Sequence, residues 1–166
     1  LRIVVDYRGL NAITIKDKYP LPLMTTLIEQ VSISQIFSKL DLKLGFKIMC
    51  IAEGYKWKTA FKTRYVLYEY TVMPFGLIKA PSVFQRHLNN ILGEKIERGV
   101  VVYIDNILIY SKTEEEHIEL VCWVLQKFTE NNLCINIDKC LFHVPESGVW
   151  RFSSRKTGDT DEPEEG

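Results

Sequence analysis

No apolar run in this 166-residue chain approaches the roughly 20 residues that a membrane-crossing helix needs. No secretory signal is visible in the opening Leu1-Arg2-Ile3-Val4-Val5-Asp6, which shows no basic stretch, small-residue cleavage site or initiator Met. That opening reads as the inside of a strand, so the natural start is expected upstream. The four cysteines, Cys50, Cys122, Cys134 and Cys140, form no CxxC pair and are too sparse for a disulfide scaffold. They are expected to be buried thiols in a reducing compartment. Cys134, Cys140 and His143 are too irregularly spaced to make a strong case for zinc. Net charge is also lacking, with 21 Lys and Arg against 21 Asp and Glu. The balance hides an asymmetry. Residues 1–112 hold 16 basic and 9 acidic side chains, an excess of +7, and residues 113–166 hold 5 and 12, an excess of −7. A basic first part suits a polyanion-binding face, or is simply a solvated surface followed by an acidic helix and tail.

What is present is the composition of one ordinary globular domain, 46% hydrophobic and 25% charged. Arg2 to Tyr7 reads as a strand ending in a turn at Arg8-Gly9-Leu10-Asn11. Lys18-Tyr19-Pro20-Leu21-Pro22 is an extended connector, because proline interrupts both helix and ladder. Leu23 to Val31 suggests a short helix and Ile36 to Leu40 a strand feeding Asp41. Phe46 to Ile51 and Thr59 to Val72 carry further strand signals, and Met73-Pro74-Phe75-Gly76 breaks them. Pro81 suits the first turn of a helix to about Leu92, whose apolar positions Val83, Phe84, Leu88, Ile91 and Leu92 share one face. Val100 to Ile104 and Ile107 to Tyr110 predict a hairpin with Asp105-Asn106 supplying the positive φ of its turn. Thr113 and Glu116 form a capping box for a helix ending near Asn131-Asn132. Short strands are expected at Cys134 to Ile137 and Cys140 to Val144, and a disordered polar tail from Ser153. Strands mixed with two strong helices argue an α+β sheet covered by helices on one face.

Two acids stand out by context. Asp41 ends an apolar strand and Asp105 tips a hydrophobic hairpin. Each could be a solvated strand end or a turn former. If the strands are sheet neighbours, the carboxylates converge, and a convergent pair is how proteins hold two Mg²⁺ ions for phosphoryl transfer.

Six segments carry a family likeness: Arg2 to Asn11 (RIVVDYRGLN), Tyr19 to Pro22 (YPLP), Phe37 to Phe46 (FSKLDLKLGF), Trp57 to Arg64 (WKTAFKTR), Val72 to Pro81 (VMPFGLIKAP) and Val102 to Ser111 (VYIDNILIYS). In this order they closely resemble the reverse transcriptase domain of Ty3/gypsy-type retrotransposon polyproteins, from Arg2 to about Val144. The resemblance implies a right-hand polymerase: a palm with an antiparallel, ferredoxin-like sheet and helices on one face, plus partial fingers and no thumb. Fingers would comprise 1–16 and 49–79, palm 17–48 and 80–146, and 147–166 a divergent tail. It implies two-metal transfer of deoxynucleotides to a primer, with Mg²⁺ or Mn²⁺, a dNTP and an RNA or DNA primer–template as partners. It also implies an intracellular setting, in a cytoplasmic virus-like particle or the nucleus, without membrane association. Asp41 would bind both metals with the Leu42 carbonyl; Asp105 would be the first acid of the Tyr-x-Asp-Asp turn, after Tyr103. Phe46 would exclude a ribose 2′-hydroxyl, Arg2 grip the triphosphate, Phe75 and Gly76 line the nucleotide pocket, and Lys139 protonate pyrophosphate. On residue type alone Phe46 could be core, Arg2 a surface cation and Phe75 loop packing.

The sequence departs from the family where charge matters most. The turn reads Tyr103-Ile104-Asp105-Asn106, so the second acid is an amide. Asn keeps the shape but removes one negative charge, and Mg²⁺ prefers carboxylate, water and phosphate oxygen. A loss of ~4 kcal/mol at the transition state would slow the reaction roughly a thousandfold. The family's usual Asn before Ala-Pro is Lys79, and its upstream fingers lysine has no counterpart. Past Val144, where the family runs on to a primer grip, thumb and RNase H domain, this chain turns to Gly148-Val149-Trp150-Arg151, as a frameshift or changed splice site would produce. The expectation is an intact fold with crippled chemistry. The alternative is an inactive relic, or a domesticated nucleic-acid-binding or interaction module, although no aromatic RNP signature is present.

Overall fold

The computed structural model describes residues 4–19, 33–43 and 45–145, with backbone alone at Gly45 and Phe46. The helices are α1 (Arg8–Ile13), α2 (Ala80–Leu92) and α3 (Glu114–Glu130), and the strands β1 (Ile36–Asp41), β2 (Phe61–Lys62), β3 (Leu67–Tyr68), β4 (Val100–Tyr103), β5 (Asn106–Ser111) and β6 (Leu141–Val144). β4, β5, β1 and β6 lie side by side in that order, every pairing antiparallel. β2 and β3 form a separate small hairpin.

Side chains alternate across the sheet. Leu40, Val100, Val102, Ile107 and Ile109 point to the helix-covered face, where they pack with Phe84, Leu88 and Leu92 of α2 and Leu120, Val124 and Phe128 of α3. Burying such a side chain is worth about 1.5–3 kcal/mol, so this layer carries most of the fold. Phe37, Val101 and Tyr110 make a smaller cluster on the opposite face. Pro81 sits at the start of α2, where its missing N–H costs nothing. Thr113 caps α3, its hydroxyl accepting from the Glu116 N–H at 3.4 Å, with Glu114, Glu115 and Glu116 against the positive helix end. Beyond α3, whose end near Asn131-Asn132 was expected, Asn132 takes φ 56 in a left-handed turn.

Several local expectations are corrected. Arg8 to Asn11 is not a turn: α1 forms, held by the Asn11 N–H donating to the Tyr7 carbonyl at 2.8 Å. Residues 4–7 have no strand partner and so are not a strand among the described residues. Gly45–Ile48 is a 3-10 turn, with only a single bridge between Cys50 and Val72 where a strand from Phe46 was expected. Cys134 to Ile137 contributes one bridge, Leu42 to Ile135, before a 3-10 turn at Ile137–Lys139. The cysteines are free but not buried: Cys50, Cys122 and Cys134 are exposed and Cys140 is half-buried. Cys122 follows Val121 on a helix whose buried stripe is His117, Leu120, Val124 and Phe128, so it faces outward. The helix expected at Leu23 to Val31 and the tail from Ser153 lie outside the described residues. No helix among the described residues is long and apolar enough to cross a membrane.

Candidate polymerase site

β1 and β5 are neighbours, so the two chain segments that carry the acids meet at one end of the sheet. Asp41 is paired with Asn106, and Asn106 with Tyr103. Directly opposed residues of an antiparallel sheet project to the same side. Tyr103, Asn106 and Asp41 therefore form one row across three strands, on the face away from the helices. Asp105 stands beside the row in the two-residue turn, and its carbonyl accepts from the Leu42 N–H at 3.0 Å, locking turn and strand end together. Asp41 is 5% exposed, Tyr103 37%. Leu42 is buried in the helix-side core, leaving its backbone as the part available to a ligand.

Asp41's own peptide groups are held by the segment before β6. Its carbonyl accepts from the Asn136 N–H at 2.8 Å, and its N–H donates to Cys140 Sγ at 3.4 Å. Lys139 lies in that clamp with its side chain exposed.

The turn is not the one the sequence suggested. Positive φ falls on Ile104 (φ 55), whereas Asn106 is the first residue of β5. A β-branched residue in this region is strained by about 1–3 kcal/mol and persists only where its surroundings impose it. Here Gln85 of α2, fully buried, imposes it: its Oε1 accepts from the Ile104 N–H at 2.7 Å and its Nε2 donates to the Val102 carbonyl at 2.8 Å.

Asn106 changes the electrostatics of the row. Its Nδ2 donates to Asp105 Oδ1 at 3.1 Å, and its Oδ1 is buried with no hydrogen-bond partner among the described residues. An Asp at this position would set two carboxylates about that far apart, a repulsion that a bound cation or a shared proton has to relieve. The amide relieves this without either. Asp41, Asp105 and the orphaned Asn106 Oδ1 are oxygen donors of the kind Mg²⁺ takes. The set fits a divalent ion in donor type and is one charge short for two. No cluster of three or more His, Cys, Asp or Glu able to hold a metal exists among the described residues.

Phe75 and Gly76 belong to a second cluster. Gly76 (φ +97) packs on the buried Tyr7, and Asn11 spans the loop, Nδ2 donating to the Gly76 carbonyl at 2.7 Å and Oδ1 accepting from the Ile78 N–H at 2.9 Å. Phe75 is 41% exposed. Tyr7 donates to the Thr59 carbonyl at 3.1 Å, and burial, with Tyr70 nearby, pushes its phenol up to about 12. Trp57, Lys58, Lys79, Leu10, Ile13 and Ile15 border an adjoining groove of about 430 Å³. Arg2 lies outside the described residues, and for Phe46 only the backbone is described.

With this geometry, comparison with known proteins is decisive. The family model for reverse transcriptase (RNA-dependent DNA polymerase) matches residues 1–158. The chain belongs to the reverse transcriptase family. It is 48% identical over 143 residues to the Transposon Tf2-7 polyprotein of Schizosaccharomyces pombe, and 47% to the Tf2-3 polyprotein. The aligned part is 86% of this chain and 11% of the polyprotein, so the chain spans about a tenth of these relatives. The crystal structure of a prototype foamy virus protease-reverse transcriptase mutant superposes with TM-score 0.73 at 27% identity, over 85% of this chain and 19% of that one. The foamy viral enzyme in complex with RNA/DNA hybrid gives 0.77 at 23% identity, over the same shares, a likeness of fold alone. The antiparallel sheet and its two covering helices thus match the palm and fingers region of a reverse transcriptase, as a partial domain. The family works with divalent metal ions.

Sequence reasoning missed Gln85, Asn11 and Cys140. Gln85 carried a signal: it lies between Phe84 and Leu88, next to the apolar stripe, where a polar side chain needs partners. Cys140 carried none.

Proposed function

We propose that this chain is the polymerase portion of a retrotransposon reverse transcriptase, built to extend a primer with deoxynucleotides and impaired by Asn106. The row Tyr103-Asn106-Asp41, with Asp105 locked beside it on the helix-free face, is the observation that carries the reading. Asp41, Asp105 and the Leu42 carbonyl would hold the divalent ions, Mg²⁺ or Mn²⁺, which activate the attacking oxygen and neutralise charge at the leaving phosphate. Asp41 is fixed for that task through both its peptide groups, and Asp105 through the bond from Leu42 to its carbonyl. Tyr103 would support the primer end, and Phe75 and Gly76 the incoming dNTP, with Phe46 beneath the sugar and Arg2 on the triphosphate. Lys139, beside Asp41's clamp, would donate a proton to pyrophosphate. The palm would comprise 17–48 and 80–146 and the fingers 1–16 and 49–79, with 147–166 a divergent tail; the sheet order β4-β5-β1-β6 with two helices on one face supports the palm part of this reading.

A second reading, a relic or retained nucleic-acid-binding module without catalysis, is favoured by one observation. The Asn106 amide satisfies Asp105 directly, so the row needs no metal to be stable.

Primer extension on an RNA template separates the two, with Mg²⁺ and with Mn²⁺, comparing the chain with Asn106→Asp and Asp41→Asn. Under the first reading extension is weak, rises about a thousandfold in Asn106→Asp and vanishes in Asp41→Asn. Silence from both the chain and Asn106→Asp, with oligonucleotide binding retained, would leave the module reading standing.

A further inference from the structure

Among the described residues no strand lies beside the outer edge of β4, yet several of its polar groups find partners there. At one end, the Val100 N–H donates to the Lys95 carbonyl at 3.2 Å and the Val100 carbonyl accepts from the Glu97 N–H at 3.1 Å. At the other end Gln85 stands in for the absent strand. Its primary amide offers an acceptor to the Ile104 N–H and a donor to the Val102 carbonyl, the pair of bonds that a neighbouring peptide would make. The orientation of this amide is fixed, since reversing it would set N–H against N–H and carbonyl against carbonyl. A second Nε2 hydrogen goes to Asn89 Oδ1 at 3.0 Å, one turn along α2, and Asn89 Nδ2 donates to the Tyr19 hydroxyl at 2.8 Å. The Tyr19 ring lies under the Arg86 guanidinium, 4.8 Å from its centroid, and Arg86 is paired with Asp17 at 2.8 Å.

We infer that Gln85 is a positioning residue for Asp105: it holds Ile104 in its left-handed conformation, and Asn89 and Tyr19 keep its amide the right way round. The inference rests on the reading of Asp41 and Asp105 as a metal-binding pair. Ile104 precedes Asp105, so the backbone angle Gln85 imposes decides where that carboxylate is presented. An apolar residue at 85 would leave a buried N–H and carbonyl unpaired and let the turn relax to negative φ. The Asp105 carboxylate would move off the Asp41 row while the helix-side core stayed packed. Glycine at 104 takes positive φ without strain and so needs no such clamp.

The test uses Gln85→Met, Ile104→Gly and the double variant, with Asn89→Leu as a milder route should Gln85→Met not fold. Two quantities are read: Mn²⁺ affinity from water-proton relaxation, and amide exchange at Ile104 relative to Leu88. In Gln85→Met the Ile104 amide exchanges at least tenfold faster while Leu88 keeps its rate, and Mn²⁺ affinity falls about tenfold. In the double variant most of that affinity returns. Asn89→Leu moves both quantities in the same direction, about threefold. Equal acceleration at Ile104 and Leu88, or an affinity that Ile104→Gly does not restore, would make Gln85 a general core residue and overturn the inference. The Asp41→Asn variant tests the underlying reading separately. If it binds Mn²⁺ as well as the unmodified chain, the metal pair is wrong, and the exchange at Ile104 alone still decides whether Gln85 sets the turn.

Discussion

Asn106 shows how one amide alters a site without altering its shape. It occupies the register position an acid would, opposite Asp41 and Tyr103, and turns a repulsive contact with Asp105 into a 3.1 Å hydrogen bond. His117 is the second residue whose chemistry is set by its surroundings. It is buried on α3 between two hydroxyls, Ser38 Oγ 2.7 Å from Nε2 and Ser111 Oγ 3.0 Å from Nδ1. Ser111 already donates to the Thr113 carbonyl at 3.0 Å, so it accepts from Nδ1–H, and Nε2 must then accept from Ser38. Ser38 in turn accepts from the His143 N–H at 3.0 Å, tying β1 to β6. The neutral ring satisfies this network, and burial, reinforced by the nearby His143, pushes the His117 pKa below its ordinary 6.5. Unfolded chain therefore binds more protons than folded as pH falls below 6.5, and stability drops with acidification. The expected slope, from urea unfolding at pH 8, 6.5 and 5.5, is at most ~1.4 kcal/mol per pH unit, flattening once the folded ring also titrates. His117→Gln is less stable at pH 8 and loses most of this slope; a slope unchanged in that variant would assign it elsewhere, with His143 and Glu114 the nearest other titrating groups.

At the scale of elements, what the sequence made legible was what local chemistry dictates. The Pro81 start of α2, the Thr113 cap and the alternation of β4 and β5 all read correctly, because each signal lies within a few residues of its effect. The turn between β4 and β5 did not. Asp and Asn are the residues that tolerate positive φ, yet Ile104 carries it, because Gln85, nineteen positions earlier in sequence, overrides local preference. The segment from Phe46 failed for a related reason: apolar alternation reads as strand, but Met49 and Cys50 meet only Val72 and Met73 across a single bridge, so no ladder grows. Gly99 offers a test of the packing between α3 and the hairpin. It has φ +105, and a Cβ there would lie 2.6 Å from Leu120 Cδ1 and 3.1 Å from the Tyr110 carbonyl. Gly99→Ala should cost about 1–3 kcal/mol from backbone strain alone, read as a lowered urea midpoint with unchanged slope. A shift below about 0.5 kcal/mol would mean that β4 and α3 separate easily.

Across the whole molecule, the segment around the β2–β3 hairpin presents aromatic and basic side chains together. Tyr55, Trp57, Tyr65, Leu67 and Tyr68 are all more than half exposed, and Lys58 Nζ lies 4.6 Å from the centre of the Tyr55 ring and 5.7 Å from that of Trp57. Stacking surface interleaved with cations is what a nucleic acid strand requires. Oligonucleotide binding measured against salt should weaken in Lys58→Ala, with a slope shallower by about 1, and weaken in Trp57→Ala by about 1–3 kcal/mol with the slope retained. Affinity indifferent to both changes would remove this face from the binding surface. The basic excess of residues 1–112 was compatible with such a surface or with a plain solvated one, and the clustering of these aromatics was not legible because the two-residue strands of the β2–β3 hairpin leave little periodicity to read.

The order of strands has a consequence for how the protein comes into being. β1 pairs with no strand near it in the chain; its partners β5 and β6 follow about seventy and about a hundred residues later, a cost in loop closure that must be met before any contact repays it. On the ribosome, Asp41 therefore emerges early and waits. Its carbonyl and N–H find Asn136 and Cys140 only when nearly all of the described chain has been made. The clamp on Asp41 is thus among the last features to assemble, and a nascent chain halted before β6 would already hold the β2–β3 hairpin and both main helices while its Asp41 still lacked that support.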